Sequence, residues 1–175
     1  MGGDRAVSDN GGFIATSAHP KVFVRYQYLF GYAGSIRFGK LIQYGFEPPA
    51  YVPELDGDLD EFMNTIFCPQ LKSFLEENQF EMFDHKEEIG PSVSGLIVGI
   101  EGRIFEIEYD LAAIEYADNY AAIGSASEYA VGALSAYKNI YGSKHLAEQI
   151  NGALQVAAKH STTCSAPFDV LTIGE

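Results

Sequence analysis

The chain has 175 residues, of which 47% are hydrophobic, and 11 Lys and Arg against 24 Asp and Glu give a formal charge of −13. A chain of this length buries roughly 68–70% of its unfolded surface in one core, so it needs neither disulfides nor a structural metal, and its apolar content argues against disorder. The acidic balance argues against a nucleic acid or an anionic membrane as partner, because phosphate binding depends on Lys and Arg. Only Cys68 and Cys164 occur, without CxxC spacing, which predicts buried thiols in a reducing, cytoplasmic setting. No apolar run is long enough to span a bilayer, and the start lacks a signal-peptide layout. Met1-Gly2 fails as a myristoylation signal because Ala6 stands where Ser or Thr is required. One domain over 1–175 is expected.

In chain order, residues 13–15, 21–25 and 28–33 read as strands, rich in aromatic and β-branched types. A helix follows over 34–44, with Ile36, Leu41 and Ile42 near helical spacing and Gly45 and Pro48-Pro49 beyond it. The acidic, proline-bearing segment 47–61 predicts a solvated loop. From Leu59 a stripe of Phe62, Met63, Ile66, Phe67, Leu71, Phe74 and Leu75 marks a helix with one buried face. Asp58 with Glu61 resembles a capping box, and Pro69 predicts a kink or break. Segments 93–100 and 103–109 alternate as a hairpin around Glu101-Gly102. A short strand at 120–123, helices at 128–138 and 144–159, and a strand at 168–173 complete the order. Such segregated runs predict an α+β fold of mainly antiparallel sheet rather than a doubly wound parallel sheet.

Several strings imitate known sites. Gly34 to Lys40 fits GxxxxGK, but Leu41 follows where a phosphate loop needs Ser or Thr for Mg²⁺, so the reading is a helix start with a solvent-facing Lys40. Asp56-Gly57-Asp58-Leu59-Asp60 begins like a calcium loop but has Glu61 and Phe67 where Gly and Glu belong. His19, His85, His145 and His160 show no metal-ligand spacing. No metal or other cofactor is expected. Ser125 lies in a Gly-Ser turn without the GxSxG elbow, and its expected job is to cap the following helix.

Seven strings in order resemble one family: Gly2-Gly3-Asp4-Arg5-Ala6; Ile14-Ala15; Pro20-Lys21-Val22-Phe23; Gly31-Tyr32-Ala33-Gly34-Ser35; Gly102 to Ile107; Ala122 to Ala130; and Phe168 to Ile173. The chain resembles a proteasome β subunit or the bacterial HslV protease. That resemblance implies a four-layer α-β-β-α sandwich of the N-terminal nucleophile hydrolase type, homo-oligomeric stacked rings, a polypeptide substrate and a possible ATP-dependent unfoldase partner. In the family a leading Thr attacks the peptide carbonyl. Carried over, Lys21 would stand beside that nucleophile and Asp4 would pair with Lys21. The Gly34 N–H would serve the oxyanion, Ser125 would lie near the terminal amine, and Ser161 falls where the family usually has Asp. The family's leading Thr and first strand precede the segment with which this chain opens at Met1. Two expectations follow: a threonine-type peptidase subunit whose authentic chain extends further upstream, or a catalytically inactive, ring-forming subunit of the same fold.

Overall fold

The computed structural model describes residues 1–8, 14–80 and 95–173. Strands β1 (Gly2–Asp4), β2 (Ala6–Ser8), β3 (Ile14–Thr16), β4 (Val22–Arg25) and β5 (Tyr28–Ala33) come first. Helices α1 (Ile36–Tyr44), α2 (Pro53–Asp56), α3 (Leu59–Phe62) and α4 (Cys68–Glu77) follow, with a π-helical turn over Met63–Phe67. Then come β6 (Gly95–Ile100), β7 (Arg103–Ile107), β8 (Ala113–Glu115), α5 (Ser127–Tyr141), α6 (Leu146–His160) and β9 (Phe168–Val170).

The main sheet runs β4-β5-β6-β7-β8, antiparallel throughout. Alternation sorts its side chains. Phe23, Tyr28, Phe30, Tyr32, Leu96, Val98 and Ile100 belong to one core cluster with Phe38, Ile42, Phe67, Leu71 and Leu75 from the helices. The aromatic packing is dense: Phe23 stacks on Phe30 at 5.4 Å between centroids, and Phe46 meets Phe67 edge-on at 5.6 Å. Each such pair adds about 0.5–1.5 kcal/mol beyond area burial.

The other face, carrying Val22, Gly31 and Gly99, meets the amino-terminal strand. A Cβ on Gly3 would approach Val22 Cγ1 at 3.1 Å, and the Met1 thioether lies over Gly31. Strand β1 pairs antiparallel with β9, and Gly2 abuts Ile150 and Leu154 of α6. The layers are therefore α1 to α4, the five-stranded sheet, the β1–β9 ribbon, and α5 with α6. This is the expected α-β-β-α order.

Several local expectations need correction. Segment 47–61 holds α2 and the start of α3 rather than a bare loop, and Tyr51 within it is buried. Side chains strap this segment down: Tyr28 Oη donates to Pro49 O at 2.6 Å and Tyr51 Oη to Gly57 O at 2.7 Å. Asp58 does cap α3, accepting from the Asp60 and Glu61 amides. The break expected at Pro69 is not present: a π-helical turn over Met63–Phe67 runs directly into α4, and Pro69 lies one residue past their junction. That turn aims Asn64 at Ala113, donating to its carbonyl and accepting from its amide, which covers the outer edge of β8.

Residues 120–123 are not a strand, and β1, β2 and β8 were not foreseen. Each is three residues long, too short for a period-two pattern to register. The hairpin at Glu101-Gly102 is as expected, with φ of 50° and 72°, the left-handed pair a tight turn demands. Residues 93 and 94 of its first arm and residue 13 of the first expected strand lie outside the described residues. No described helix is long and apolar enough to cross a membrane.

Candidate functional site

Lys21 precedes β4 and Asp4 ends β1, on chain segments brought together when the ribbon packs on the sheet. Lys21 Nζ donates to Asp4 Oδ1 at 2.6 Å, with side-chain exposures of 18% and 10%. The pair that the resemblance proposes therefore exists as a contact. Beside it, Arg5 makes a two-pronged bond to Asp169 at 2.8 and 2.7 Å, tying the corner after β1 to β9. That guanidinium holds the Asp169 carboxyl below the usual carboxylate range.

Cys164 is buried. Burial first, then the charge and acceptor oxygens of the Asp4 carboxylate, push its thiol up to about 12, with Lys21 opposing. Cys164 is thus a neutral group at ordinary pH and no thiolate nucleophile.

Thr163, which precedes Cys164 in the chain, is one of three linked hydroxyls. Ser125 Oγ lies 2.6 Å from Thr163 Oγ1, which lies 2.8 Å from Ser161 Oγ. Ser161 is the residue closing α6, and its oxygen also accepts the Thr163 amide at 3.2 Å. Ser125 does not cap α5 as expected: Ala126 occupies that position, with no side-chain capping bond. Its hydroxyl turns to Thr163 instead.

Gly34 follows β5 with φ of 84°, a left-handed conformation that glycine takes without strain. Gly124, at φ of 95°, packs so that an added Cβ would come 3.2 Å from Ala33 Cβ. The loop bearing Ser125 is therefore seated against the end of the strand that leads into Gly34. Gly34 and Ser125 are exposed, while Asp4 is buried. Sequence reasoning missed Thr163 and Cys164, which carry no motif and matter only through what they touch.

The amino group of Met1 is not part of this arrangement. It donates to Leu171 O at 2.7 Å. It lies three residues from Asp4, about 10 Å at strand rise. Burial holds this amine below its usual value.

The discarded sites are accounted for structurally. Ser35 caps α1 through the Phe38 amide, and Lys40 is partly covered rather than solvent-facing, donating to Gln43 Oε1 at 2.9 Å and lying over the Tyr44 ring. In the calcium-like string, Asp56 and Asp58 carboxylates are engaged by backbone amides. Among the described residues, no group of three or more His, Cys, Asp and Glu could hold a metal ion; His85 lies outside them.

No family model and no curated protein matches the chain by sequence. Solved structures do match by shape. The chain superposes on Thiobacillus denitrificans BPH in complex with epoxomicin with a TM-score of 0.71 at 20% identity, covering 96% of this chain and 88% of that one. The same protein in a second structure gives a TM-score of 0.69 at 18% identity with the same coverage. Eukaryotic HslV from Trypanosoma brucei gives 0.62 at 21% identity, again over 96% and 88% of the two chains. The chain has the HslV-like, proteasome-like fold.

Proposed function

We propose that residues 1–175 form a single proteasome-like domain that serves as a subunit of a ring-shaped, self-compartmentalised threonine-type endopeptidase. The observation that carries this reading is the Lys21–Asp4 ion pair at 2.6 Å, in a chain with an HslV-like fold. In this reading Lys21 lends positive charge to a leading Thr hydroxyl supplied by residues upstream of Met1. Asp4 fixes Lys21, and the Gly34 amide receives the developing oxyanion. Ser125 and Ser161 lie toward the amine that takes the hydroxyl proton. Stacked homo-oligomeric rings, a polypeptide substrate, a cytoplasmic setting and an ATP-dependent unfoldase partner belong to the same proposal.

A second reading, a non-catalytic ring-forming subunit, is favoured by Ser161 standing where the resemblance places Asp. N-terminal sequencing with intact mass on the protein from its native source separates the two. Thr heading an extra strand before β1, with hydrolysis of a peptide amide, supports the peptidase. Met1 or Gly2 as the native start overturns it in favour of the scaffold. Epoxomicin, bound by the Thiobacillus denitrificans protein, is the ligand to titrate against the native form: added mass on the chain supports the first reading.

A further inference from the structure

We propose that Thr163 is a positioning residue that fixes the Ser125 hydroxyl through a three-hydroxyl relay ending at Ser161. This inference rests on the peptidase reading above. Thr163 Oγ1 is the middle member, 2.6 Å from Ser125 Oγ and 2.8 Å from Ser161 Oγ. A hydroxyl has one proton to give and two lone pairs to receive, so Thr163 can donate to one serine while accepting from the other. The Thr163 amide also donates to Ser161 Oγ at 3.2 Å, which holds that oxygen as an acceptor and leaves its O–H free to donate to Thr163 Oγ1.

The inner end of the relay is anchored at a helix end and the outer end is exposed. Ser161 closes α6, its amide bonded to Ala157 O at 2.9 Å, and is partly covered. Ser125 is exposed, in a loop of irregular backbone. An exposed serine samples three staggered rotamers of similar energy. The short bond to Thr163 selects one of them and passes the order of the helix end out to Ser125. With Ser161 in a position where a carboxylate would accept strongly, the relay gives Ser125 a neutral partner of fixed direction. The two hydrogen-bond directions, Ser161 to Thr163 to Ser125 and the reverse, interchange by rotation of the three O–H bonds, each proton staying on its own oxygen, so no oxygen becomes charged.

The test uses the protein from its native source and the same full-length chain carrying Thr163→Val, which keeps shape and removes the hydroxyl. Thr163→Ala serves where the Val form does not fold. With Ser125 spread over three rotamers, kcat for a peptide amide should fall at least about threefold, with KM unchanged, because the lost interaction acts in the transition state. Thr163→Ser should restore it, and Ser125→Ala should make the Thr163 change silent. Wild-type kcat in a folded Thr163→Val or Thr163→Ala form overturns the positioning role while leaving the peptidase reading intact. A native protein that begins at Met1 and cleaves no peptide overturns that reading and this assignment with it.

Discussion

Replacing Lys21 by Met removes one member of an ion pair whose side chains are 18% and 10% exposed. Unit charges about 4 Å apart attract by roughly 4 kcal/mol at an effective dielectric of 20, offset by desolvation of both ions. Stranding one member of a fully buried pair costs about 3–5 kcal/mol, and the residual solvent contact here lowers the expected loss to roughly 2–3 kcal/mol. The Asp4→Asn, Lys21→Met double variant should regain part of it, with a coupling of about 1–2 kcal/mol. Urea unfolding at pH 7 with unchanged m-values measures all four corners of the cycle. Cys164 supplies an independent readout with opposite signs. Asp4 raises its thiol and Lys21 lowers it, so Asp4→Asn should bring the thiol titration down and Lys21→Met should send it up. Single losses that add to within about 0.5 kcal/mol, together with a Cys164 titration unmoved by either change, would refute the pairing and the site built on it.

Glu106 gives the pH prediction. Burial, opposed by the Tyr116 hydroxyl at 3.0 Å and reinforced by Glu108, holds its carboxyl above the usual range. The folded state therefore binds this proton more tightly, so the contribution is most favourable below the unfolded carboxyl value, about 4.3, and declines as pH rises through the folded value. Glu106→Gln should remove that decline, seen as a flatter Tm against pH profile above about pH 4; an unchanged slope would place Glu106 in an ordinary solvated setting. Gly39 gives a packing prediction. A Cβ there would overlap the ring of Tyr32, which is 4% exposed. Gly39→Ala should lose about 1–2 kcal/mol net, overpacking outweighing the better helix propensity of Ala, and a urea midpoint at or above wild type would contradict the close approach.

The sequence by itself determined the long elements, while their four-layer order was implied only by likeness to a known family. The stripe from Leu59 to Leu75, the Glu101-Gly102 hairpin and the strand at 28–33 are local signals: one buried face, one turn geometry and one run of sheet-forming side chains suffice to specify each. The candidate residues Asp4, Lys21, Gly34, Ser125 and Ser161 were named by likeness of short strings, and nothing in their own spacing joined them. Tertiary structure alone placed Asp4 against Lys21, because a contact across the two sheets depends on the packing of the ribbon and not on sequence distance. It also brought in Thr163 and Cys164, which lie 38 residues beyond Ser125 in one case and beside Asp4 across the ribbon in the other. Hydroxyls and thiols have no periodicity to read; their chemistry is set by the groups they touch. The three-residue strands β1, β2 and β8 belong to the same class, since so short a segment is extended only because its backbone finds a partner from elsewhere in the chain.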